Sequence, residues 1–65
     1  MRPEVLALIL ERVAQSHRNI ATAYGWVPNA PFNLTQRQEM ATAHAIVADA
    51  FAGLADEIMT LGSLT

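Results

Sequence analysis

The apolar residues of this chain recur at helical spacing in two long stretches separated by a proline-interrupted connection. In the first stretch Leu6, Leu10, Val13, Ile20 and Tyr24 follow one another at steps of three, four or seven, and His17 fills the one gap of seven. No Gly or Pro falls between Glu4 and Tyr24. Pro3 suits the first turn of a helix, where its missing N–H has no partner to lose, and Glu4 favours the positive end of the helix dipole. The pattern predicts helix 1 over about 3–24, with Gly25 as a left-handed stop and Pro28 preventing resumption.

The second stretch carries Met40, His44, Val47, Phe51, Leu54, Ile58 and Leu61 at alternating steps of four and three, the 3.5-residue period of coiled-coil-like packing. Beside that stripe runs another of Ala41, Ala45, Ala48, Ala52 and Ala55, and Ala43, Ile46, Ala50 and Gly53 border its far side. Gln38, Thr42, Asp49, Asp56, Thr60 and Ser63 make only a narrow polar strip, where a surface helix normally exposes a wide one. Thr35 to Gln38 reads as a capping box, with Asn33 as the competing cap, and Gly62 reads as the matching stop. Helix 2 is therefore expected over about 35–61, after a loop over 25–34 stiffened by Pro28 and Pro31.

These elements predict an all-α chain, a single helical-hairpin domain over 1–65 made of two antiparallel helices. The large-residue stripes match: Tyr24 with Met40, Ile20 with His44, His17 with Val47, Val13 with Phe51, Leu10 with Leu54 and Leu6 with Ile58 share one constant sum of sequence numbers. Taken as the intramolecular interface, they leave Val5, Leu8, Ile9, Ala41, Ala45, Ala48, Ala52 and Ala55 without partners. A stripe of small residues lets helix axes come close, so this second face is expected to dock a second copy and give a homodimeric four-helix bundle. Trp26 and Phe32 in the connection read either as a plug for the open end of the bundle, the reading favoured for Trp26 because it follows Gly25, or as anchors for a partner.

Composition strengthens the case for association. A chain of 65 residues with no cysteine has no disulfide to staple it, yet it is 52% hydrophobic and only 15% charged. Charge argues against nucleic acid: Arg2, Arg12, Arg18 and Arg37 are scattered and outnumbered by six acids, leaving a net charge of −2 and no basic stripe. The apolar run from Val5 to Leu10 is shorter than the roughly 7–15 residues of a signal-peptide core. A membrane-spanning helix 2 would put His44, Asp49, Asp56 and Glu57 in hydrocarbon. The expectation is a cytoplasmic protein with no membrane and no nucleic-acid partner.

Candidate chemistry is sparse. Asp49 and Asp56 sit on the polar strip, where carboxylates lack the desolvated cleft that acid–base catalysis needs. The three glycines, at 25, 53 and 62, form no phosphate loop, and Ser16 and Ser63 have no neighbouring base in sequence. His17 and His44 fall within a turn of each other across the hairpin. Hydrogen-bonded histidines in or beside a bundle core are expected there, since a third and fourth metal ligand are not apparent. The reading is a non-enzymatic protein with no cofactor: a small regulator, inhibitor or adaptor that binds itself and a larger protein through a helix face. The alternative is a bundle that holds a small ligand or metal between its helices through His17 and His44.

Overall fold

The computed structural model describes residues 2–26 and 32–63. Two α-helices account for nearly all of them: α1 (Pro3–Trp26) and α2 (Leu34–Ser63), packed as an antiparallel hairpin. The helices make a rod with principal extents of 49 × 14 × 13 Å. None of the described helices is long and apolar enough to cross a membrane.

Local chemistry explains the helix starts. The Arg2 carbonyl accepts from the amides of Val5 and Leu6, both at 3.1 Å, so Pro3 occupies the first helical position as expected. At α2 the cap is Asn33, not Thr35. The Gln36 amide donates to Asn33 Oδ1 at 2.8 Å, and the Asn33 amide donates to Gln36 Oε1 at 3.0 Å. This reciprocal box satisfies two otherwise orphaned donors and starts the helix at Leu34.

Both expected glycine stops are corrected. Helix α1 runs through Gly25 to Trp26, α2 runs through Gly62 to Ser63, and no described glycine has positive φ. Gly62 serves another purpose. A Cβ there would come within 2.8 Å of Pro3 Cβ and 3.0 Å of Pro3 Cγ, so glycine allows the two chain ends to approach closely.

Along the hairpin axis the helices sit close to the expected register. His17 stacks between His44 and Phe51, on either side of the Val47 that the constant sum sets opposite it. Rotation about the helix axes is different. Among the described residues the fully covered ones are Ala7, Ala14, Ala48 and Ala55, and no large side chain is fully buried. Ala7, Ala14 and Ala21 recur at sevens along α1, and Ala41, Ala48, Ala55 and Gly62 do so along α2. Between them on the same seam lie Leu10, His17 and Tyr24, and Arg37, His44, Phe51 and Ile58, all partly buried. Each helix carries a heptad pattern with a small residue at one core position and a larger one at the other. Relative to the sequence-derived interface, each helix is turned by about 60° at 3.6 residues per turn. The small residues draw the backbones together, and the larger ones fill the grooves between them.

Candidate functional site

The heptad geometry determines what flanks the seam. Every small seam residue is immediately preceded by a large aliphatic one: Leu6, Val13 and Ile20 on α1, and Met40, Val47, Leu54 and Leu61 on α2. In an antiparallel pair these preceding positions lie on the same flank of both helices, because each is about 100° behind its seam residue and the chains run oppositely. The register sets Leu6 beside Leu61, Val13 beside Leu54 and Ile20 beside Val47. One broad side of the hairpin is thus a mainly aliphatic slab, bordered by Glu57 beside Leu54 and Leu61 and by Arg2 beside Leu6. Val13, Met40 and Val47 are half-buried, and Leu6, Ile20, Leu54 and Leu61 are 36%, 40%, 44% and 62% exposed.

The other flank mixes charged, small and apolar residues. Glu4, Glu11 and Arg18 come from α1, and Gln38, Ala45, Ala52 and Met59 from α2. An open groove lined by Glu4, Val5, Ala7, Leu8, Glu11 and Met59 runs along it. Arg18 reaches Asp49 at 3.3 Å on this side, with both side chains largely in water.

The face expected to dock a second copy is therefore divided by the fold. Ala48 is 0% exposed and Ala55 is buried, both covered by α1 of the same chain, so neither is available to a partner. Ala41 and Ala52 are half-buried at the seam's edge, and Ala45 is exposed. Val5 and Leu8 are exposed on the groove beside Met59. Ile9 is exposed and, three residues on from Leu6, borders the aliphatic slab. The roles of the two stripes are partly exchanged: alanines join Leu10, His17, Tyr24, His44, Phe51 and Ile58 in closing the hairpin, and Leu6, Ile20, Leu54 and Leu61 are left exposed. Helix α1 held the signal for this arrangement, since Ala7, Ala14 and Ala21 repeat at the same interval as the alanines of α2.

Besides Arg37 near the connection, polar character enters the seam at the level of the two histidines. Tyr24 stacks on His44 with ring centroids 5.7 Å apart, His44 on His17 at 5.1 Å, and His17 on Phe51 at 6.1 Å. The ladder alternates between the two helices, and Phe32 tilts against its Tyr24 end at 6.3 Å. Within it the Nδ1 atoms of His17 and His44 lie 2.9 Å apart, so one imidazole donates its N–H to the lone pair of the other. Phe32 thus packs on the hairpin while remaining partly exposed. The expected role of Trp26 concerns a side chain that lies outside the described residues. Among the described residues no three His, Asp or Glu side chains gather as a metal cluster.

Comparison with known proteins finds no matching family model, no matching curated protein and no matching solved structure.

Proposed function

We propose that this chain is a small non-enzymatic interaction protein, a cytoplasmic regulator, inhibitor or adaptor, that works through the aliphatic side of its hairpin. Two copies pair by that side into a homodimeric four-helix bundle, and the assembled bundle binds a larger protein. The observation that supports this reading is the rotation of the expected core: alanines take the most covered seam positions, while Leu6, Val13, Ile20, Met40, Val47, Leu54 and Leu61 share one face.

The chain exposes 4840 Å², whereas a compact protein of 7.1 kDa is expected to expose about 4,100 Å². An elongated rod of 49 × 14 × 13 Å accounts for this larger area and leaves its long sides open to a partner. A mainly aliphatic face is also compatible with a two-fold interface, because each copy presents the same apolar surface with its charges, Glu57 and Arg2, at the border. Sealing the face supplies the large-residue core that a single hairpin lacks, so folding and association are expected to be coupled.

Sedimentation equilibrium over a concentration series tests the reading. The expected species is twice 7.1 kDa, with a melting temperature that rises with concentration. A stable 7.1 kDa monomer at tens of micromolar, melting at the same temperature throughout, refutes self-association.

A further inference from the structure

We propose that the His17–His44 pair is a proton-sensitive latch: it holds the hairpin closed with no more than one added proton and opens it with two. The inference rests on how the rings meet. Their Nδ1 atoms lie 2.9 Å apart and come from different helices. A hydrogen bond at that distance needs one N–H and one lone pair. The neutral pair supplies both, with one ring protonated on Nδ1 and the other on Nε2. The singly charged pair also supplies both, because the imidazolium Nδ1–H donates to the neutral ring and the charge strengthens the bond. The doubly charged pair does not. Both Nδ1 atoms then carry hydrogen, no acceptor is left between them, and two positive charges meet across the seam.

Packing holds the rings in this arrangement. His44 lies between His17 and the Tyr24 ring, and His17 lies between His44 and the Phe51 ring. Both histidines are partly buried, so the rings separate only by leaving a ladder that joins the two helices. Tyr24 from α1 and Phe51 from α2 face the pair directly, and neither is charged near neutral pH. Among the described residues no carboxylate is paired with either ring. The charged groups along this stretch are Glu11, Arg12 and Arg18 on α1 and Arg37, Glu39 and Asp49 on α2, equal in number for each sign. Asp49 is engaged by Arg18 at 3.3 Å. A second proton on the pair therefore finds no anion to offset it.

The direction with pH follows. In the open chain the two rings take up protons independently, each around the ordinary histidine value of about 6.5. The closed hairpin accepts one proton at the pair and opposes the second. Below about pH 6.5 the open chain thus binds more protons than the closed one, and acid favours opening. With two independent sites open and one proton allowed closed, the equilibrium constant for closing falls about sixfold between pH 7.5 and 5.5. The fall from the pair then approaches about tenfold per pH unit. Carboxylates titrate mostly below this window, near about pH 4. The latch lies within one hairpin, so it does not depend on pairing of copies.

Urea unfolding of the untagged chain at pH 7.5, 6.5 and 5.5, at one protein concentration, tests the latch. Stability of the unaltered chain is expected to fall with acid by the factor above. His44→Gln leaves one ring and supplies a carbonyl oxygen that accepts from it, so its stability should stay level over the same range. Stability of the unaltered chain that does not fall overturns the proposal. So does an equal fall in a folded chain carrying both His17→Gln and His44→Gln. If the variants do not fold, nitrogen-15 spectra of the unaltered chain decide. The closed hairpin, marked by contacts between the Tyr24 and His44 rings, should hold no more than one imidazolium charge between its two histidines as the pH falls. Two imidazolium rings in a hairpin that keeps those contacts overturn the proposal.

Discussion

Leu54 and Met59 offer a controlled comparison, because each is 44% exposed in the single hairpin but they lie on opposite flanks. Leu54 belongs to the aliphatic slab, and Met59 lines the groove beside Glu4 and Glu11. Truncating leucine to alanine removes about three methylene equivalents, worth about 2.4 kcal/mol if fully buried. With a little over half the side chain covered in the isolated hairpin, the cost there is about 1.3 kcal/mol. Sealed inside a four-helix bundle, the same truncation also leaves a cavity and costs about 2.7–5.0 kcal/mol per copy. The part specific to association is the difference, about 3–7 kcal/mol summed over two copies, or roughly a hundredfold to a hundred-thousandfold in the dimer dissociation constant. Met59→Ala should cost about 1 kcal/mol and leave association unchanged. Urea unfolding at two protein concentrations, together with sedimentation of both variants, measures each quantity. Equal costs for the two truncations, with midpoints independent of concentration, would show that the slab has no partner copy and that its arrangement has some other cause.

Three further outcomes follow from the seam and its ends. Ala48→Leu forces a large side chain into a position with 0% exposure between two close backbones, and should destabilise by about 1–3 kcal/mol or more in thermal unfolding. Gly53→Ala meets nothing within 4 Å and should stabilise α2 by about 0.5–1 kcal/mol, whereas Gly62→Ala meets the Pro3 ring and should gain nothing or lose stability; matching gains in urea midpoint would contradict the close approach. Asn33→Ala removes the side-chain half of the capping box and should cost about 1 kcal/mol, while Thr35→Ala should cost clearly less.

The two helices, their antiparallel pairing and their axial register were legible in the sequence because each rests on local signals. Three- and four-residue spacing marks the helices, and the short connection together with the matching stripes places His17 opposite the region of Val47. Rotation about the helix axes was not legible in the same way. Leu10, His17, Tyr24, His44, Phe51 and Ile58 belong both to the large-residue stripes and to the observed seam, so they fit either rotation. The choice rests on whether Leu6, Val13 and Ile20 or Ala7, Ala14 and Ala21 turn inward. Hydrophobicity favours the first set and close backbone approach the second. Ranking by side-chain size therefore selects the wrong stripe whenever large residues are kept for a surface outside the hairpin. The glycines misled for a related reason. Gly25 and Gly62 resemble helix stops, yet both continue the helix, and at Gly62 the absent side chain makes room for Pro3.

The alternating ladder of rings makes hairpin closure optically visible without a label. Tyr24 is the chain's single tyrosine, and its phenol stacks on an imidazole carried by the opposite helix. That fixed, asymmetric environment exists only when the helices are docked, so the near-ultraviolet circular dichroism of the phenol reports docking, while the far-ultraviolet signal reports helix content. An expanded state that keeps its helices but loses their packing would lose the first signal and retain the second. The seam thus contains its own chromophore for separating helix formation from helix pairing.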